Sequence, residues 1–323
     1  MKSKNPQLTY EQRCHIEALK KIGLSQTAIA KEIGVHQSTI SRELTRNTGA
    51  RGYRSKQAHR MAESRRKEAS KPTKMTPEII ALIESKLRLK WSPEQISGWL
   101  LMEQDICVSH ETIYLHVWSD KRRQGNLFSC LRRQGKKYDK RRNGKSTRGH
   151  IKNSRSIDDR PGIVDRKSRV GDWEIDTVIG KNHSGALVTI VERVTKTTLS
   201  MQVPNKTAAA VTEATIKLLK PYQDIVHTIT ADNGKEFANH IEIEKALETK
   251  VYFAHPYSSW ERGLNENTNG LIRQYFPKST DFRKVAQADV KKMTNCLNNR
   301  PRKYLEYKTP NQLMKKYMAA IGI

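Results

Sequence analysis

IVHTITADNGKEF (225–237) reads as a short buried strand that runs into an acid, Asp232, and then turns at Asn233-Gly234. Upstream, GDWEIDTVIG (171–180) is a second β-rich run with Asp176 inside it. Downstream, HPYSSWERGLNENTNGLIRQYF (255–276) reads as a loop entering a helix that carries Glu266. Three carboxylates supplied by two strands and a helix can hold a pair of hard divalent cations. Asp176 would bridge the two ions, and Asp232 and Glu266 would each hold one. Mg²⁺, two per site, is the cofactor expected, and Mn²⁺, which also accepts oxygen ligands, would substitute for it.

On the Glu266 helix, Trp260, Leu264, Leu271 and Tyr275 are spaced as an apolar stripe with Trp260 in the core. Arg262, Glu266, Asn269 and Arg273 fall together on another face, so Arg262 and Arg273 are candidate phosphate contacts beside the acid. Asp172, Glu174, Glu236 and Glu261 read as surface charges outside the site. His255 reads as a structural loop residue.

Outward from these runs, GALVTIVERVT (185–195) and TTLSMQVP (197–204) add two antiparallel strands after the first. TAAAVTEATIKLLK (207–220) and NHIEIEKALE (239–248) are amphipathic helices, and KVYFA (250–254) is a further strand. The order β-β-β-α-β-α-β-α is that of a ribonuclease-H-like α/β fold. It is expected over residues 166–323, with terminal helices after 284. RPRKYLEYK (300–308) reads there as an exposed basic segment, with Arg300, Arg302 and Lys303 as further candidate DNA contacts.

The N-terminal part has the grammar of all-α helix-turn-helix units. Thr9 and Gln12 form a capping-box pattern, Ser25 caps QTAIAKEI (26–33), Gly34-Val35 turns the chain, and HQSTISRELTRN (36–47) follows. Ile40 and Leu44 point inward. Gln37, Ser38, Thr39, Arg42 and Arg46 are the candidate DNA contacts on the outer face. WSPEQISGWLLMEQDICVSHETIYLHVW (91–118) repeats this logic in divergent form, with His110 as an outward candidate. The expected domains are 1–60 and 61–120, each a helix-turn-helix unit, then a basic linker at 121–165 and the catalytic fold at 166–323.

Charge points to the same partner. The chain of 323 residues has a net charge of +27, a prior for double-stranded DNA or another polyanion. Residues 1–170 hold 38 Lys and Arg against 17 Asp and Glu, while 171–323 hold 22 against 16. Lys121 to Arg155 contains 14 Lys and Arg and one acid, Asp139, which suggests a tether that orders along phosphates. The four scattered cysteines form no CxxC pair, which argues for reduced thiols. With no apolar run of spanning length, no membrane is expected, and the location expected is cytoplasmic and nucleoid-associated.

EIDTVIG, ITADNGKEFANH, HPYSSWERGLNENTNGLIRQYFPKSTDF (255–282) and LNNRPRKYLEYKTPNQL (297–313) together resemble the DDE transposases of the insertion sequence 30 family. These belong to the wider transposase and retroviral-integrase superfamily. The likeness covers nearly the whole chain, and the acidic triad maps onto Asp176, Asp232 and Glu266, with 33 residues between the last two. The His/Cys zinc module of retroviral integrases is absent. The resemblance implies binding to terminal inverted repeats, strand cleavage, strand transfer into target DNA, and a homo-oligomer on DNA. Two other classes compete with it: a sequence-specific repressor with an inactive transposase-like domain, and a hydrolase of the ribonuclease H type without strand transfer.

Overall fold

Side-chain caps start most of the N-terminal helices. In the computed structural model, which describes residues 7–68, 74–133, 151–256 and 258–322, Thr9 and Gln12 close a capping box on α1 (Tyr10–Lys21). Ser25 caps α2 (Gln26–Ile33), which ends at Gly34 with φ 74°, a left-handed turn that glycine adopts without a Cβ penalty. His36 caps α3 (Gln37–Asn47). Each such cap contributes about 1 kcal/mol.

Ile16, Ile29, Ile40, Leu44, Tyr53 and Ala58 form the core of this unit. Beneath α3, Arg13 grips Glu43 at 2.8 and 3.2 Å, and the Tyr53 hydroxyl donates to the same carboxylate at 3.1 Å. This buried pair ties α3 to α1, and removing one partner would cost roughly 3–5 kcal/mol. A fourth helix, α4 (Ser55–Glu68), packs on α1 and α3. The unit therefore runs past the expected boundary at 60, because α4 continues unbroken across it to Glu68.

The second unit begins at Lys74. Its helices α5 (Pro77–Arg88), α6 (Pro93–Gln104) and α7 (His110–Arg122) pack around Ile83, Leu87, Ile96, Leu100, Ile113 and Val117. A capping box from Ser92 and Gln95 starts α6, with Pro93 at its first position. Leu127 and Leu131 close the same core. The expected tether thus does not begin at Lys121, because two leucines inside the charge run are buried. Ile151 likewise joins the core that follows, and residues 134–150 lie outside the described residues.

The rest of the second unit is built on a six-stranded sheet in the order β1-β6-β5-β2-β3-β4. Its strands are β1 (Arg155–Ser156), β2 (Asp172–Ile179), β3 (Ala186–Glu192), β4 (Thr198–Val203), β5 (Thr228–Ala231) and β6 (Lys250–Phe253). Strands β2, β3 and β4 pair antiparallel, and β5, β6 and β1 join parallel to β2. The short edge strand β1 lies in the stretch expected to be linker. A helical turn, α8 (Ile163–Arg166), precedes β2. One sheet face packs Trp173, Ile175, Val188 and Ile190 against residues of α9 (Ala208–Leu219) and α10 (His240–Leu247). Met314 of α13 (Pro310–Ala320) joins that cluster. The other face packs Val178 and Leu187 against α11 (Gly263–Ile272) and α12 (Gln287–Asn298). Both faces are covered, as a sheet with parallel strands requires.

Candidate active site

Successive even positions of β2 carry Asp172, Glu174 and Asp176, and period-two alternation puts all three on the α11 side. Asp172 is held by Arg169 through two bonds of 2.9 Å and accepts the Thr228 hydroxyl at 2.7 Å. Glu174 pairs with Arg193 at 2.7 Å and accepts the Asn265 N–H. Both are buried, so the reading of them as surface charges is corrected: each is a neutralised internal carboxylate. Glu236 is also buried, paired with Lys206 at 2.6 Å and accepting the Thr177 hydroxyl at 3.2 Å. Glu261 is half-buried, and its carboxylate takes the backbone N–H and ring of His255, both at 2.8 Å. His255 also meets Asp158 at 2.9 Å, so it is a loop clamp, and these two carboxylates hold its imidazole above the usual range.

Asp176 differs from its two neighbours. It keeps 22 % side-chain exposure, and its nearest cation, Arg262 at 3.5 Å, is shared with Asp232 at 3.3 Å. Burial pushes the Asp176 carboxyl upward, and Asp232 and Glu236 push the same way against the pull of Arg262. The Asn269 amide donates to Asp176 Oδ2 at 2.9 Å, and Thr189 Oγ1, on the paired strand β3, donates to Asn269 Oδ1 at 3.2 Å. Asp232 follows β5 directly, and its Oδ1 accepts the Gly234 N–H at 2.9 Å, which fixes the turn.

Glu266 stands on α11, three residues before Asn269. A cavity of about 820 Å³ is lined by Asp176, Thr177, Arg262, Glu266, Asn269 and Arg273. Asp176 and Asp232 thus already face a single cation, and Glu266 lines the cavity that Asp176 opens into. Hard oxygen donors around a shared positive charge fit a divalent ion. Among the described residues no three His, Cys, Asp or Glu side chains stand close enough to share one ion.

The helix reading needs one correction. Trp260 is not core: it is 75 % exposed, because residues 259–262 form a 3₁₀ turn and α11 begins only at Gly263. The buried face of α11 is Asn265, Thr268, Leu271 and Ile272. Arg273 lines the cavity, yet its guanidinium donates to the carbonyls of Ile179 at 2.7 Å and Pro277 at 3.3 Å. Nor are Arg300 and Arg302 exposed: Arg300 is 2 % accessible and Arg302 half-buried, while Lys303 stays at the surface. Two participants were not foreseen, Asn269 as the donor to Asp176 and Arg132, whose guanidinium donates to Asn267 at 3.1 Å on the rim of the same cavity. Leu127 and Leu131, just before Arg132 in the charge run, were the available signal.

In the first unit, Gln37, Arg42 and Arg46 of α3 are exposed, and Ser38 and Thr39 are half-buried near its start. Ser38 is engaged with the His36 ring at 2.8 Å. His110 opens α7, exposed and edge-on to Tyr114. No helix among the described residues is long and apolar enough to cross a membrane.

Comparison with known proteins divides the chain along the same lines. Residues 4–47 match the Helix-turn-helix domain family and residues 167–259 the Integrase core domain family. The latter match spans Asp176 and Asp232 and stops before Glu266. Integrase core domains generally use divalent metal ions. The transposase for insertion sequence element IS4351 of Bacteroides fragilis is 48% identical over 96% of this chain and 95% of its own length. The transposase for insertion sequence element IS1086 of Cupriavidus metallidurans is 37% identical over 98% and 97%. Transposase InsI for insertion sequence element IS30A of Escherichia coli is 36% identical over 97% and 84%.

Proposed function

The chain belongs to the insertion sequence 30 family of transposases, and from that premise we propose that Asp176, Asp232 and Glu266 are the carboxylates with which it cuts and rejoins DNA. The observation that carries this reading is the pair of aspartates sharing one guanidinium beside a cavity walled by Glu266. Asp176 and Asp232 would hold the divalent ions, two per site and Mg²⁺ by preference, with Glu266 completing the set from α11. When bound, such ions supply activation of the attacking hydroxyl and stabilisation of the leaving oxygen.

The protein's own groups do the rest. Sheet pairing to β3 fixes the backbone at Asp176, and Asn269 fixes its carboxylate. The Asp232 turn is set by its bond to Gly234 N–H. Arg262 balances the two aspartates and lies where a scissile phosphate would enter. In the first unit, α3 reads the terminal inverted repeats through Gln37, Ser38, Thr39, Arg42 and Arg46. Two ends must be joined, so at least two protomers assemble on DNA. Light scattering of the end complex should give a dimer or larger, and a single protomer throughout the reaction would refute the assembly.

Glu266→Gln in the full chain tests the triad. It keeps the side chain's shape and loses the charge that attracts a cation. Repeat binding should stay normal while cleavage and strand transfer both disappear in Mg²⁺. Near-normal strand transfer by this variant, with loss in Glu261→Gln instead, would move the third acid elsewhere.

A further inference from the structure

A second cavity, of about 610 Å³, lies within the second unit between the α5–α7 layer and the C-terminal segment. Arg132 and Asn267 line both cavities, so the two are contiguous. Its walls carry Lys90, Arg132, Arg133, Arg300, Arg302 and Lys303 against a single acid, Glu94. That acid is taken by Lys303 at 2.7 Å. Among the described residues no carboxylate pairs with Lys90, Arg132, Arg300 or Arg302.

The cations are instead held by neutral groups. Lys90 Nζ donates to the Gln274 carbonyl at 2.5 Å and sits 4.3 Å from the Tyr275 ring centroid. Arg300 donates to Gln274 Oε1 and the Tyr275 hydroxyl, both at 3.0 Å, with its buried Nε unpartnered. Arg302 donates to the Leu297 carbonyl at 3.1 Å, and its Nε is likewise without a partner. Burial and the neighbouring Arg300 pull Arg302 down to about 10. Arg300 is buried and Lys90 and Arg302 half-buried, while Arg132 and Lys303 stand at the surface above them. Positive charge partly withdrawn from water without a carboxylate is costly, and a groove that keeps it suits an anion supplied from outside.

Two further features shape the ligand. Arg132 lies against α11 at Gly270, where a Cβ would come 2.1 Å from its Nη2 and the guanidinium would have to shift. Aromatic rings also line the groove: Trp118 is half-buried, and Tyr304, at the surface, is 95 % exposed. Cations along a channel with interleaved rings are the physical signature of a site for single-stranded nucleic acid, in which phosphates are drawn electrostatically and bases stack. A bare phosphate would need no rings, and a duplex would keep its bases stacked on each other.

We propose that this groove takes a single strand of DNA running on from the catalytic cavity, with its phosphates on Arg132, Arg302 and Lys303 and its bases on Tyr304 and Trp118. Arg300 adds charge from beneath the floor. The proposal rests on the transposase reading only for which strand arrives there.

The test uses the full chain with two probes, a fluorescent oligothymidine of about a dozen nucleotides and a blunt duplex of equal length, read by anisotropy across a salt series. One lost stacking contact corresponds to roughly fivefold or more in affinity. Tyr304→Ala should weaken oligothymidine binding by that factor and leave duplex binding unchanged. Arg302→Gln should lower the salt slope for the single strand by about 0.7. Arg302 is half-buried, so circular dichroism checks the fold of its variant, whereas Tyr304 at 95 % exposure can be removed without touching the core. Oligothymidine bearing iodouracil should crosslink to peptides containing Trp118 or Tyr304. Wild-type affinity in Tyr304→Ala, equal losses for duplex and single strand, or crosslinks confined to α3 would each overturn the groove. Glu266→Gln should bind oligothymidine normally, so failure of the active-site reading would show in strand transfer while this binding stood.

Discussion

At Asp172, Glu174 and Asp176, three acids of one strand face meet two different fates. Arg169 and Arg193 neutralise the first two through short bonds, whereas Asp176 shares its cation with Asp232. The sequence showed which residues were acidic and that they alternated. It could not show that Arg193 would reach back to Glu174, since that contact depends on the β2–β3 register. The places of Asp176 within a strand and of Asp232 just after one were legible, because a β-rich run leads into each. Arg262 was legible as a cation near the acid, but its place between the aspartates was not. That place makes a prediction: Arg262→Ala removes a positive charge that competes with a divalent ion. Mn²⁺ binding to the DNA-free protein, followed by electron paramagnetic resonance, should tighten severalfold. Weaker binding would mean that Arg262 orders the aspartates instead of opposing the ion.

Among the elements, α3 and α11 behave differently as sequence signals. In α3 the cap, the buried positions and the polar face all agreed, so both its extent and its orientation were readable. The Arg13–Glu43–Tyr53 cluster holds it from below, and Gln37, Arg42 and Arg46 remain exposed. A base or phosphate contact contributes roughly 1–3 kcal/mol. Arg42→Ala should therefore weaken binding to the element's terminal repeats by at least several-fold in a gel shift at moderate salt, without changing the fold by circular dichroism. Unchanged affinity would remove α3 as the reader. In α11 the apolar spacing misled, because Trp260 fitted the stripe but precedes the helix. A 3₁₀ turn at 259–262 shifts the phase, and the true buried face includes the polar Asn265 and Thr268.

For the molecule as a whole, the strand and helix order of the catalytic fold was readable from periodicity, and composition separated it from the basic N-terminal half. The boundaries were less so. A charge run masked Leu127 and Leu131, whose burial ties the chain after α7 into the α5–α7 core. That packing brings Arg132 to the rim of the catalytic cavity. Ion binding by the proposed acids of β2, the end of β5 and α11 can be measured without relying on turnover. Mn²⁺ titration of the full chain on repeat DNA, read by electron paramagnetic resonance, should give two ions per protomer. Asp176→Asn, Asp232→Asn and Glu266→Gln should each lower that number or sharply weaken it. Two ions held with wild-type affinity in Glu266→Gln would contradict the account.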